Sequence, residues 1–357
     1  MSYADAVSQP GFQIRSLDGV RALAVIIVFI GHGRTAPSLW PGHVGVTIFF
    51  FLSGYLIVTL LRRETEKTGT LSIGKFYLRR ILRILPPAYV AISLAVILAA
   101  IGAIEPAGDL WGVLAEVFNY TNYYIVIHGR EGLPPETSQL WSLAVEEHYY
   151  LVIPAALLMM LRRLTRQQIG WTLLGIAGLV VLWRIVLGVS GGSFDRLYVS
   201  TDSRIDSLLV GSAMALLWNP ALQDQLPRRL VASMGWLAGV AAVAFVASSL
   251  VEVQAFRLGV ADTIQYVCLI PIFWYIVSSG NTAVAKILNL RWVRRLGVLS
   301  FSIYLLHRIA LGLVEHLDAA PIATDLAALA LSIGAAATVY ELVEKPCRRL
   351  RQRLELR

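Results

Sequence analysis

The sequence predicts an all-α fold, a polytopic transmembrane bundle of about ten spans with both termini in the cytoplasm. Three observations predict it. Hydrophobic residues make up 57% of the 357 against 15% charged, and mean hydropathy is +0.65, a composition outside the range of ordinary soluble domains. Apolar runs of spanning length recur along the whole chain, and Lys and Arg concentrate in alternate connections between them.

Spans are expected at about 16–33, 44–61, 84–104, 142–161, 171–189, 204–218, 232–250, 260–279, 297–315 and 324–342. With a cytoplasmic start, connections 62–83, 162–170, 219–231, 280–296 and 343–357 hold 7, 3, 2, 4 and 6 Lys and Arg, 22 in all, against 4 in the outside loops. That is the positive-inside asymmetry. The apolar stretch 111–127 carries Glu116, Asn119, Thr121 and Asn122, and letting it cross would put Arg162, Arg163 and Arg166 on the wrong side. Segment 105–141 therefore reads as extracytoplasmic, partly re-entrant or interfacial. The chain reads as one membrane-embedded domain, 1–357, with a short polar N-terminus (1–15) and a basic cytoplasmic tail (343–357).

The formal charge of +8 belongs to the cytoplasmic loops, and no nucleic-acid partner is expected. Cys268 lies in an apolar segment and Cys347 in the basic tail, which predicts neither a disulfide nor a metal site. Asp5, Gln9, Pro10 and Gln13 are unlike the start of a cleavable leader, so the first span is expected to be retained.

Ionisable residues inside or at the rims of the spans are Asp18, Arg21, His32, Glu146, Glu147, His148, Arg184, Arg204, Asp206, His307, Arg308, Glu341 and Glu344. Such groups are costly against lipid and point to an active site or a substrate pathway. Arg21 and His32 stand eleven residues apart, roughly 16 Å and about three turns, so they share one face of the first span. Asp18 can neutralise Arg21 as an i,i+3 pair. The alternative for these residues is interfacial marking, with Arg21 snorkelling and His32 hydrogen-bonded at the outer rim. As chemistry, Arg21 would hold a phosphate or carboxylate, and a neutral imidazole at position 32 would take a proton from a hydroxyl or attack a thioester itself.

In the second span, Ser53 and Gly54 permit close helix packing. Arg79, Arg80 and Arg83 precede the third span, with Pro86 and Pro87 expected at its start. They read either as topology determinants or as a patch for a phosphorylated donor such as coenzyme A. In QLWSLAVEEHYY, Trp141 and Tyr149 or Tyr150 are candidate interfacial anchors. Glu146 and Glu147 point about 100° apart, so at most one of them is expected to share a pocket with His32, where its role would be to orient the imidazole or a hydroxyl. The competing role is a structural acid satisfied by Arg184 or Arg204. Asp202, Arg204 and Asp206 read as structural ion pairing. Ser302, Tyr304 and His307 read as active-site groups or hydrogen-bonded helix glue, and Tyr340 with Glu344 as active-site groups or the start of an interfacial stop signal running through Arg353. The NYTNYY run at 119–124 is a candidate sugar contact.

These segments together resemble the acyltransferase 3 family of integral membrane O-acyltransferases, from about residue 15 to 350. The matching residues are Arg21 with His32, the FFFLSGYLI stretch, Arg80 with Arg83, WSLAVEE with Glu146 and Glu147, TDSRIDSLLVG, LSFSIYLLH, and Tyr340 with Glu344. One departure stands out, His148 where many members have glutamine. The resemblance implies no bound cofactor, a cytoplasmic acyl-CoA donor, typically acetyl-CoA, and an acceptor hydroxyl on a surface glycan or other exported molecule, in the cell (inner) membrane. It implies His32 as the essential histidine, Arg21 as its companion, and Arg80 and Arg83 as donor-binding residues, with Glu344 an important acid. The appended extracytoplasmic hydrolase-like domain of longer relatives is absent from this sequence, so none is expected to be required. Two alternatives keep most of the residue assignments: a transporter or flippase with a His, Arg and Glu relay, and acyl transfer to a small lipophilic acceptor.

Overall fold

The computed structural model describes residues 14–355 apart from 38–39, 107, 223–225, 252, 254–255, 279–281 and 318. All regular structure among the described residues is helical. The first half comprises α1 (Arg15–His32), α2 (Gly42–Thr68), α3 (Ile73–Ala100), α4 (Leu110–Val117), α5 (Thr121–His128), α6 (Trp141–Leu161) and α7 (Arg166–Val189). There follow α8 (Phe194–Tyr198), α9 (Thr201–Arg204), α10 (Asp206–Leu217), α11 (Arg228–Ser249) and α12 (Asp262–Ser278), the last entered through a π turn at Arg257–Ala261. The chain ends with α13 (Ala283–Leu288), α14 (Arg291–Val314), α15 (Pro321–Val339), a second π turn (Tyr340–Glu344) and α16 (Lys345–Glu355).

Eight helical stretches are long and apolar enough to cross a membrane, which makes this an all-α polytopic membrane bundle. Two of the ten expected spans are helical but fall outside that set. α1 has 18 residues and carries Arg15, Asp18 and Arg21, and α10 has only 12. The stretch expected as the span 204–218 is broken at Ile205 between α9 and α10.

Several boundaries differ from the sequence reading. α3 begins at Ile73 rather than near 84, and Pro86 and Pro87 lie inside it. Proline has no amide hydrogen, so the Leu82 and Arg83 carbonyls have no partner one turn on. Segment 105–141 folds into α4, α5 and a short 3-10 turn at 138–140, with Asp109 capping α4 through the Gly112 amide at 2.7 Å. The basic tail is helical and continuous with α15 through the π turn.

The central helices neighbour one another in the order α7, α10, α2, α1, α14, α15, with α11 paired to α12 and α16 lying on α3. Backbones touch at the centre of this row. A Cβ on Gly54 would fall 2.0 Å from the Leu208 carbonyl oxygen, and one on Gly297 would fall 1.8 Å from that of Asp18. Only glycine permits such approaches, as in membrane helix pairs generally. α2 is buried along most of its length, whereas α7 and α11 turn Trp171, Leu179, Leu182, Trp236 and Val243 outward. That apolar exterior suits lipid, not water.

Candidate functional site

A cavity of about 380 Å³ runs between α1, α2, α3, α6, α14 and α16. Six arginines line it: Arg21, Arg79, Arg80, Arg83, Arg348 and Arg351. Its carboxylates are Asp18, Glu146 and Glu344. Hydroxyls come from Ser53, Tyr150, Ser142, Tyr304 and Tyr340, and the apolar wall includes Phe49, Phe50 and Leu56.

The acids are largely engaged. Asp18 stands 3.8 Å from Arg21 and 3.9 Å from Arg294. Glu146 accepts from Ser53 at 2.9 Å and from Tyr150 at 3.0 Å, and Ser302 donates to Glu344 at 2.5 Å. The bases are less so. Arg79 pairs with Glu64 at 2.9 Å, while the Arg80 guanidinium lies over the Tyr150 and Phe76 rings at 5.3 and 5.7 Å, with its buried Nε unpartnered. Arg83 makes no hydrogen bond or ion pair among the described residues and is exposed where it lines the cavity. The arrangement is therefore a positively charged, partly apolar pocket suited to an elongated anion.

The structure brings Arg21, Arg79, Arg80, Arg83, Glu146, Tyr304, Tyr340 and Glu344 to this one cavity. His32 is not among its lining residues. Glu146 therefore faces the arginines rather than His32, contrary to the expected shared pocket, and Glu147 has a buried, unpartnered Oε1 outside the lining. Tyr304 provides the connection. Its hydroxyl is held by Ser142 at 2.7 Å and the Gln139 carbonyl at 3.0 Å, and its own carbonyl lies 2.7 Å from His307 Nδ1. His307 Nε2 is 3.4 Å from His32 Nδ1. The arginine pocket and the histidine pair are thus joined by one tyrosine.

Other expectations change as well. Trp141, Tyr149 and Tyr150 are buried, not interfacial, with Tyr149 bonded to Ser212 at 2.5 Å. Neither Arg184 nor Arg204 satisfies the glutamates. Arg184 pairs with Asp206 at 2.7 Å, Arg204 with Asp262, and Arg196 with Asp202 at 2.5 Å. In the 119–124 run, Asn122 donates to Thr201 at 2.9 Å and Tyr124 to Asp109 at 3.1 Å, so both are committed internally. Tyr123 stacks on His148, whose Nδ1 is 2.7 Å from Thr201 Oγ1. Sequence reasoning missed Ser53 and Tyr150 as partners of Glu146, and Arg348 and Arg351 as cavity residues. The signal for the last two was present in the spacing 340, 344, 348, 351, which is one helix face.

Residues 14–341 match the acyltransferase 3 family, described as an acyltransferase domain. The chain belongs to the acyltransferase 3 family. Among relatives, it is 32% identical over 307 residues to the peptidoglycan O-acetyltransferase OatA of Listeria monocytogenes, covering 82% of this chain and 49% of the relative. It is 30% identical over 302 residues to the O-acetyltransferase OatA of Staphylococcus aureus, with the same two coverages, 82% and 49%. The chain thus spans about half the length of these relatives. No solved structure matches it.

Proposed function

We propose that this protein is a membrane O-acyltransferase moving an acyl group, acetyl, from a cytoplasmic acyl-CoA to a hydroxyl of a cell-surface or exported glycan in the cell (inner) membrane. The single observation carrying the reading is the arginine-lined cavity that has Tyr304 in its wall, one turn before His307, which meets His32. Family membership supports the transferase class, and the similarity to the Listeria peptidoglycan O-acetyltransferase supports a glycan hydroxyl and an acetyl group.

In this reading Arg79, Arg80 and Arg83 hold the coenzyme A phosphates and Arg21 lines the route of the thioester arm. His32 Nε2 takes the acceptor's hydroxyl proton as the oxygen attacks the thioester carbonyl. The carbon–sulfur bond then breaks, and the proton passes to the departing thiolate. Alternatively His32 Nε2 attacks first and passes the acyl group on. Either course needs only the donor and the acceptor, with no bound cofactor. Glu146 stays with Ser53 and Tyr150 beside Arg21 and Arg80, shaping the donor pocket.

Reconstituted protein supplied with acetyl-CoA should release free CoA in proportion to added acceptor, and His32→Ala should lose nearly all of it. Wild-type turnover by His32→Ala would remove the catalytic assignment. Substrate flux without CoA release would replace the enzyme with a transporter.

A further inference from the structure

We propose that His307 is a positioning residue that orients the His32 ring across helices, shares with the Val28 carbonyl the hold on its tautomer, and steadies the charge His32 acquires; this rests on the catalytic reading of His32 above. His307 is wholly buried on α14, and its Nδ1 lies 2.7 Å from the Tyr304 carbonyl oxygen. A carbonyl can only accept, so Nδ1 carries the proton and Nε2 of the neutral ring presents a lone pair. That lone pair faces His32 Nδ1 at 3.4 Å, with the ring centroids 5.0 Å apart and the planes at 64°.

His32 Nδ1 is also 2.9 Å from the Val28 carbonyl oxygen. Two acceptors therefore converge on one nitrogen. His32 must carry its proton on Nδ1, which leaves Nε2 bare. His32 is exposed, and its Nε2 makes no hydrogen bond among the described residues. A base and a nucleophile both require that bare nitrogen, and both leave the ring positive.

The two acceptors do different work. Val28 lies one turn away on the same helix and would hold the tautomer in α1 alone. His307 comes from α14 and ties the imidazole to Tyr304, whose hydroxyl is clamped by Ser142 and the Gln139 carbonyl. The His32 ring is thereby set relative to the cavity, not merely to its own helix. When it becomes an imidazolium, its Nδ1–H gains strength as a donor, and the His307 lone pair receives it. Arg308, the next residue, is ion-paired with Glu136 at 2.9 Å, so its charge is compensated locally.

The test compares His307→Gln with His307→Leu in reconstituted protein, alongside His307→Ala. The glutamine amide oxygen can accept in place of Nε2, and leucine cannot. Leucine and alanine are expected to lower kcat roughly tenfold to a hundredfold with donor KM within about twofold, and glutamine to recover most of the loss. Equal losses with glutamine and leucine, or a loss confined to KM, would reduce His307 to packing and overturn the proposal. If substitutions at 307 prevent folding, the wild-type protein still decides. The 15N resonances of the two rings, His32 assigned by its loss in His32→Ala and His307 by its ring-to-ring contact with His32, should show His32 Nδ1 protonated and His307 Nε2 bare; a protonated His307 Nε2 would overturn it. A fully active His32→Ala sinks the underlying reading instead; an inactive His32→Ala with a normal His307→Leu sinks this proposal alone.

Discussion

Around α7, α10 and α12, Arg184, Arg204 and Arg196 each face a carboxylate of their own; along the cavity between α1, α3, α14 and α16, six arginines stand around three lining carboxylates, with Glu64 outside the lining pairing one of them, Arg79. The core of the first group, Arg184 with Asp206, is closed, whereas Arg204 keeps a buried unpartnered Nε and the pair of Arg196 with Asp202 is partly exposed. Arg184 gives Nη1 to Asp206 and the Ser203 carbonyl, Nη2 to Thr263 and the Gly259 carbonyl, and is 1% exposed. The second group is open, because Glu146 and Glu344 are occupied with hydroxyls and Arg80 rests on two aromatic rings. Matched buried charges join helices, and surplus charge of one sign needs an anion from elsewhere.

Breaking the closed group should have the largest effect. Asp206→Asn leaves Arg184 buried without its counter-charge and should cost about 3–5 kcal/mol, seen as lost folded protein and a lower unfolding temperature in detergent. Unchanged stability would erase the distinction. Next, Arg80→Gln with Arg83→Gln should raise donor KM about tenfold or more while the unfolding temperature hardly moves. An unchanged KM returns the pair to topology. Smaller still, Arg348→Gln with Arg351→Gln should raise donor KM about threefold and flatten its salt dependence, since Arg348 is exposed and Arg351 half-buried, where screening is stronger. A steeper salt dependence would argue against them. The smallest effect is expected for Arg196→Gln, whose partly exposed pair with Asp202 is worth up to about 1 kcal/mol and should leave KM alone.

The sequence carried the membrane class, because hydrophobic runs and basic loops are additive signals. It also carried Arg21, Glu146, Tyr304 and Glu344, since a polar residue inside or at the rim of an apolar run is conspicuous wherever it ends up, and Arg80 as one of a basic cluster beside a span. It could not say which of these meet. The 100° between Glu146 and Glu147 allowed one to face a site, but not which site, and packing chose the arginines over His32. Helix starts were less legible at α3, where Pro86 and Pro87 suggested a boundary that neighbouring helices override. The break at Ile205 that leaves α10 short is not legible either, because hydropathy cannot register it. The tail was read by charge alone, and Arg348 and Arg351 gained meaning only when α16 was placed on α3.

The π turn at Tyr340–Glu344 acts as a phase shift within one continuous helix. A π turn adds one residue to an α-helix, so everything after it is rotated by about 100° relative to an uninterrupted helix. Tyr340, Glu344, Cys347, Arg348 and Arg351 all reach the cavity with that extra residue in place. Winding all five residues into regular α-helix would keep every side chain chemically intact, yet swing the α16 arginines about 100° round the helix axis and away from the cavity, whereas deleting the one extra residue would restore an α turn and leave them in place. The facing of the α16 guanidiniums is therefore governed by the winding of five residues as much as by composition.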